Sequence, residues 1–354
     1  MTSYPRIVID AAKLKHNYSR MVEIGRAHGV GIFAVTKVYT AMPELARIAV
    51  EAGVEALADS RIENLEQLAS LGVPRVLLRL PMLSEVDAVV RHAEISLNSE
   101  VTTIRALADA AARAGLRHGI ALMVDLGDLR EGMKPEEAIE VAGEVLRAPH
   151  LELKGIGVNL TCYGGVIPSG DNLGVLANTA AAIENKYGVQ LAIVSGGNSS
   201  SIPLLQSGKM PKGINNLRIG EAVVCGKETA YLKELEGFHN DTFVLEAEIV
   251  ELKHKPSVPT GEIGYDAFGQ VPTFVDRGER LRAIVAIGKQ DIDASGLTPL
   301  DSAITLVGGS SDHTIFDLTD CSASYRVGDV LRFRCDYGAM LRAFTSRYVK
   351  KVIR

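Results

Sequence analysis

A lysine closes the short apolar run Ile32-Phe33-Ala34-Val35-Thr36-Lys37. Runs of this kind, rich in β-branched residues, form buried strands. An ammonium is costly to bury without a partner, so Lys37 is poorly explained by packing. At the carboxyl end of a parallel strand it faces the crevice where α/β folds place their ligands. Alone, it is also what a solvated loop would carry. The rest of the chain argues otherwise, because polar residues stand at the same end of strand after strand: Asp59, Arg79, Asn98, Arg130, Asn159, Ser195-Gly196-Gly197-Asn198 and Arg218. If the strands close into a barrel, these residues converge on the face where active sites of that fold lie.

The elements that must position them alternate. After a strand over residues 6–10 and an amphipathic helix to about residue 26, short apolar runs succeed one another near residues 32–36, 56–58, 76–78, 95–97, 120–126, 153–158, 191–194 and 216–219. Helical patterns separate them, one with Pro43 at its start and Gly53 at its end, another terminated by Gly115. Eight strands joined by helices over roughly 200 residues predict a parallel (β/α)8 TIM-type barrel, with an open doubly wound sheet as the competing architecture. Beyond Lys227 the texture changes to strands separated by turn residues, expected over 243–251, 281–287, 303–307, 315–318, 330–333 and 345–349. The expected division is therefore a barrel domain over 11–228 and a mostly β carboxyl-terminal domain over 229–354, which the first strand (1–10) joins. The Pro- and Gly-rich stretch 255–272 is too long for a simple hairpin and marks a functional loop.

The run Ser195-Gly196-Gly197-Asn198-Ser199-Ser200-Ser201 opens the seventh helix with small residues that let backbone N–H groups approach an anion. A glycine-rich turn alone says little about phosphate. Followed by Arg218-Ile219-Gly220 at the next strand, it matches the usual phosphate position of such barrels. A lysine on the first strand, a phosphate cradle on the seventh and eighth, and an arginine beside it suggest pyridoxal 5'-phosphate.

On these residues the chain resembles the alanine racemase family of fold-type III pyridoxal-phosphate enzymes, and within it the ornithine racemase branch. The stretches that carry the likeness are ADSRIENLEQL, LLRLPMLSEV, MVDLGDLREG, GIGVNLTCYGG, IVSGGNSSSI, NLRIGEAVVCGKETAY, GEIGYDAFG, AIGKQDID and SSDHTIFDLTD, spread over nearly the whole length. The resemblance implies that Lys37 holds the cofactor as a Schiff base and that Arg218 meets the pyridine nitrogen. It further implies that Arg130 binds the substrate carboxylate, and that Ser199, the backbone at Gly220 and Glu221, and Tyr337 hold the phosphate, with Ser195, Asn198 and Asn159 also at the cofactor. Tyr265 falls at the second catalytic base, delivered from the partner chain of a homodimer with shared active sites. Ser311 and Asp312 match the partner-chain segment near the substrate.

The chain departs from the family where Ala41 replaces a tyrosine four residues after the lysine, leaving Tyr39 as a candidate substitute for its phosphate contact. Asn159 stands where a histidine usually lies against the cofactor ring, and Met123 replaces a lysine often carbamylated. These changes point away from alanine more than away from the reaction. The expected activity is two-base racemisation of ornithine or another basic amino acid by Lys37 and the partner's Tyr265, with Asp266, Asp291 and Asp293 as candidates for a distal ammonium. The alternatives are an alanine or broad-specificity racemase, a decarboxylase or aldolase of the same fold type, and a non-catalytic pyridoxal-phosphate carrier.

Composition sets the bounds. The 354 residues are 47% hydrophobic and 23% charged with a net charge of −5, which gives no general pull toward nucleic acid or an anionic membrane. Four cysteines lack metal-ligand spacing and read as reduced thiols. No signal-peptide pattern and no apolar run of membrane-spanning length is present, so a cytoplasmic enzyme without a metal is expected.

Overall fold

The computed structural model describes residues 3–354. It divides into two compact units, one formed by Ala12–His239 and the other by Asn240–Arg354 with the amino-terminal segment as far as Ala11. Strand β1 (Arg6–Ile9) belongs to the second of these, and helix α1 (Ala11–Ala27) leads into the first.

In the first unit eight strands close into a parallel barrel: β2 (Gly31–Val35), β3 (Ala56–Asp59), β4 (Arg75–Leu77), β5 (Ile95–Asn98), β6 (His118–Met123), β7 (Leu151–Gly157), β8 (Ile193–Ser195) and β9 (Asn216–Ile219). β9 pairs back onto β2 with Arg218 beside Phe33. Connecting helices are α2 (Pro43–Glu51), α3 (Ile62–Gln67), α4 (Val86–His92), α5 (Val101–Ala114), α6 (Pro135–Arg147), α7 (Gly170–Tyr187), α8 (Ile202–Gln206) and α9 (Glu221–Cys225). Their ends obey local chemistry. α5 stops where Gly115 turns left-handed at φ 65°. α7 starts on a capping box, in which the Asn172 N–H donates to Ser169 Oγ (3.2 Å) and the Ser169 N–H to Asn172 Oδ1 (2.8 Å).

Alternation along each strand fills the barrel with Phe33, Val35, Ala56, Ala58, Val76, Leu78, Ile95, Leu97, Ala121, Met123 and Ile193. Their partners in the alternation face the helices. Glycine makes space where the barrel narrows: a Cβ on Gly157 would lie 3.2 Å from Arg218 Nη1 and 3.3 Å from Ser195 Cβ. The bare backbone there is what lets a guanidinium enter the barrel wall.

The second unit is an eight-stranded sheet built around the 14-residue β10 (Phe243–Pro256). Its other strands are β11 (Glu279–Val285), β12 (Leu297–Pro299), β13 (Thr305–Gly309), β14 (Thr314–Asp317), β15 (Val330–Cys335) and β16 (Lys350–Ile353), in the order β12-β15-β10-β11-β14-β13. β1 adds to β10 antiparallel and to β16 parallel. The β1–β10 pairing is locked by Arg6 and Glu246, an ion pair at 2.6 Å with both side chains buried. The expected strand over 345–349 is not there. Asp336 accepts the Ala339 N–H at 2.8 Å and caps a helix, α10 (Tyr337–Thr345), and the final strand starts only at Lys350. Ala339, Met340, Ala343 and Phe344 form its buried stripe, a helical period too short to stand out among strands. No helix among the described residues is long and apolar enough to cross a membrane.

Candidate active site

The strand-end residues expected to converge divide into two sets by alternation. Asp59 and Asn98 each succeed an inward residue (Ala58, Leu97) and so face the helix layer, while Arg79 lies two residues past the end of β4. Asp59, fully buried, accepts from Thr36 Oγ1 (2.6 Å), the Arg61 N–H (3.0 Å) and Asn64 Nδ2 (2.9 Å). Burial pushes its carboxyl up against those donors. Arg79 pairs with Glu85 at 2.9 Å. Asn98 Nδ2 donates to Ser96 Oγ (2.9 Å), which meets His118 Nε2 at 2.7 Å. These residues brace the wall; they do not line the mouth.

Lys37 begins a 3-10 turn, Lys37–Tyr39, directly after β2, and its side chain is half-buried. The preceding Thr36 is pinned by Asp59, which fixes the exit of the strand. Two non-glycine residues then take the left-handed conformation in succession, Thr40 at φ 49° and Ala41 at φ 53°. Such backbone costs about 1–2 kcal/mol per residue and is retained where the surroundings over-determine it. Tyr39, the candidate for the missing phosphate contact, is packed against Tyr18. Its ring is fully buried and its hydroxyl lies 3.0 Å from that of Tyr18, so burial and this pairing raise it well above the ordinary phenol range.

Arg218 does face inward. It is 3% exposed, and its guanidinium donates to Ser195 Oγ, to the Val158 carbonyl (2.7 Å) and to Asn159 Oδ1 (2.6 Å). Ser195 Oγ in turn donates to Asn216 Oδ1 at 2.6 Å. All three acceptors of Arg218 are neutral, and its Nε makes no hydrogen bond among the described residues. Burial pushes the guanidinium down to about 10, against the opposing pull of Glu131. At neutral pH it remains charged, with a donor left for a lone-pair acceptor such as a ring nitrogen.

From Asn159 the network continues outward. Asn159 Nδ2 donates to Glu131 Oε1, and the same carboxylate takes Arg130 Nε and Nη2, the latter at 2.6 Å. Burial alone would raise the Glu131 carboxyl, but Arg130 and Asn159 outweigh it and hold it below the usual range. The loops carrying these residues are tied together by Asp128, 1% exposed, whose carboxylate accepts the N–H groups of Thr161 (2.9 Å), Cys162 (3.1 Å), Tyr163 (2.9 Å) and Val166 (3.1 Å). Sequence reasoning does not single out Glu131 or Asp128. A carboxylate adjacent to an arginine reads as a solvated pair, and Asp128 acts on backbone 33 to 38 residues away.

At the seventh and eighth strands Gly197 takes φ 107°, and Asn198 Oδ1 accepts the Ser200 N–H at 2.9 Å while its Nδ2 donates to the Leu160 carbonyl at 3.0 Å. Ser199 Oγ accepts the Ala222 N–H at 3.2 Å, joining this turn to the start of α9, where Gly220 and Glu221 stand. Asn198 thus shapes the turn, and the N–H groups of Ser200 and Ala222 are taken within it, which leaves the Ser199 hydroxyl proton as a donor. A turn of small residues with a serine hydroxyl, near a buried arginine, has the chemistry that the phosphate and ring of pyridoxal phosphate would require.

In the second unit Tyr265 is 80% exposed, on a loop shaped by Asp266, whose Oδ1 accepts the N–H groups of Phe268 (2.8 Å) and Gln270 (2.9 Å). Lys289 Nζ rests 3.9 Å from the Phe268 ring centroid and steadies the same loop. Ser311 Oγ donates to Asp312 Oδ1 at 2.8 Å, both exposed, and Tyr337 opens α10. All three carboxylates expected to read a distal ammonium are engaged locally: Asp266 with the N–H groups of Phe268 and Gln270, Asp291 with Ser346 Oγ (2.6 Å), and Asp293 with Ser295 Oγ (2.7 Å).

An eight-stranded parallel barrel with a buried arginine and a lysine at its carboxyl rim, followed by a mostly antiparallel β unit, defines an α/β-barrel enzyme. The family described as alanine racemase, N-terminal domain, matches residues 9–227, and the chain belongs to the alanine racemase family. An ornithine racemase from Acetoanaerobium sticklandii is 48% identical over 98% of this chain and 99% of its own length. A lysine racemase from Thermotoga maritima is 40% identical over 99% of this chain and 98% of its own. Among solved structures, alanine racemase from Bartonella henselae with covalently bound pyridoxal phosphate superposes with a TM-score of 0.75 over the full length of both chains, at 17% identity, a likeness of fold.

Proposed function

We propose that this protein is a pyridoxal-phosphate-dependent racemase of ornithine or another basic amino acid, working in the cytoplasm as a homodimer with shared active sites. The observation that carries the reading is the arrangement around Arg218: a buried, charged guanidinium held by neutral groups, on the strand that pairs with the one leading into Lys37. Lys37 would hold the cofactor covalently, Ser199 with the backbone of Gly220 and Glu221 its phosphate, and Arg218 its ring nitrogen. Tyr337 would add a phosphate contact. Pyridoxal phosphate, when bound, supplies the electron sink that makes a proton at Cα removable.

The fate of that proton is decided by the chain's own residues. Arg218, charged and held by neutral partners, would donate a hydrogen bond to the ring nitrogen while keeping its own proton, and would so temper the electron sink that the group supplies. This favours returning a proton to carbon. Lys37 exchanges that proton on one face, and Tyr265 of the partner subunit exchanges it on the other. Arg130 fixes the substrate carboxylate, with the partner's Ser311 and the partner's Asp312 nearby. The free cysteines support a reducing compartment, and the relatives named for ornithine and lysine support a basic side chain. The test is a chiral assay starting from pure L-ornithine, L-lysine and L-alanine. The expected result is conversion of each active substrate toward equal enantiomers, with kcat/KM for ornithine or lysine exceeding that for alanine by about one to two orders of magnitude. Decarboxylation, retro-aldol cleavage or no turnover would contradict it.

A further inference from the structure

Arg130 is not held by its own stem. It is 44% exposed at the side chain, and what orients it is the Glu131 carboxylate, itself only 12% exposed. The pairing is side-on: Nε and Nη2 are taken, which leaves the Nη1 end of the fork able to receive a second carboxylate. The same Glu131 Oε1 receives Asn159 Nδ2, whose Oδ1 is occupied by Arg218 Nη2 at 2.6 Å. An amide has one acceptor end and one donor end. With Arg218 on the oxygen, only an acceptor can satisfy the nitrogen, and Glu131 is that acceptor. Donors and acceptors therefore alternate without a gap from Arg218 through Asn159 and Glu131 to Arg130.

We propose that Glu131 is a positioning residue, the carboxylate that sets the angle of Arg130 and ties the substrate-carboxylate end of the site to Arg218. This rests on the racemase reading above. A substrate carboxylate bound by an arginine so fixed has its Cα hydrogen placed relative to both proton-exchanging groups. A misplacement of about 1 Å at such a point costs on the order of 100-fold in rate.

Replacing Glu131 with glutamine has a defined consequence. The amide oxygen, at the position the two donors share, still accepts from Asn159 Nδ2 and Arg130 Nη2, but the amide NH2 then faces Arg130 Nε, so the two-point grip on the guanidinium and the charge that held it are lost. Arg130 keeps its charge and loses a neighbouring anion that competed with the substrate. Affinity for a carboxylate should therefore hold or tighten while its orientation is lost. The expected signature of Glu131→Gln is kcat lowered roughly 10–100-fold with KM unchanged within about threefold or lower. Glu131→Asp keeps an anion beside Arg130 on a stem one methylene shorter, and serves as the conservative comparison.

The experiment compares wild type, Glu131→Gln and Glu131→Asp in two ways: kcat and KM with ornithine, and thermal unfolding of the cofactor-free proteins. Expected are a Tm lower by about 2–4 °C in Glu131→Gln and nearer wild type in Glu131→Asp, which also recovers at least about threefold of the lost kcat. A Glu131→Gln protein that raises KM at unchanged kcat overturns the proposal, as does a Glu131→Asp protein with wild-type Tm but no recovered rate. If wild type neither racemises ornithine nor binds pyridoxal phosphate, the functional reading has failed instead. The Tm pattern then still reports whether the network exists.

Discussion

At the residue scale, the side chains that matter divide by direction more than by type. Lys37, Asn159, Ser195 and Arg218 carry the proposed chemistry, while Asp59, Asn98 and His118, equally polar and equally close to strand ends, serve the wall. His118 is 1% exposed, and burial pushes its imidazole down to about 4. The unfolded chain takes up that proton near pH 6.5, so the unfolded state binds more protons anywhere below it. Stability from His118 is therefore complete above pH 6.5 and is lost progressively as the pH falls to about 4, by about 3 kcal/mol in all. His118→Gln, which keeps a polar partner for Ser96, should lose less stability than wild type over that window. Unfolding followed at pH 7, 5.5 and 4 checks this; parallel losses in the two proteins would show that His118 titrates freely. The alternation that separates these groups is present in the sequence, but which parity faces inward depends on the closed barrel. Without closure, polar residues at strand ends read as one set. Tyr39 is ambiguous in sequence for a related reason, since its partner Tyr18 lies 21 residues away on α1.

At the element scale, the turn after β2 combines a pinned entrance with a strained exit. Thr36 is anchored to Asp59, Lys37 opens the 3-10 turn, and Thr40 and Ala41 bear left-handed backbone that neither residue type favours. A glycine at position 40 removes the steric penalty of about 1–2 kcal/mol and adds about 0.5–1 kcal/mol of unfolded-state entropy. Thr40→Gly should thus stabilise the barrel by about 0.5–1 kcal/mol and, by loosening the segment that aims Lys37, lower kcat by roughly 3–10-fold. A denaturant midpoint that falls would show that Thr40 is not strained; one that rises with unchanged kcat would separate the strain from function. The eight barrel strands are legible in the sequence because each is a short apolar run succeeded by helical periodicity. α10 is not, because nine residues give only two turns of pattern and its cap, Asp336, resembles a turn residue between strands. Glu131 is hidden by its adjacency to Arg130. Only folding shows that one carboxylate serves both Arg130 and Asn159.

At the scale of the whole molecule, the candidate residues are divided between two units, with Lys37, Arg130 and Arg218 in the barrel and Tyr265, Ser311 and Asp312 in the β unit. If each site takes its lysine from one chain and its tyrosine from the other, Lys37→Ala and Tyr265→Phe should complement. Random exchange makes about half the dimers mixed, and each mixed dimer has one intact site, so about a quarter of wild-type activity should return. Verified exchange without recovered activity would place both residues in one chain. The central claim, that Lys37 is the attachment point of pyridoxal phosphate, is tested most directly by borohydride reduction of the protein purified with its cofactor, followed by peptide mass mapping. Expected are a visible absorbance that reduction abolishes and a single pyridoxyl-phosphate adduct on the peptide containing Lys37. An adduct on another lysine, or none on a protein that still racemises ornithine, would contradict it.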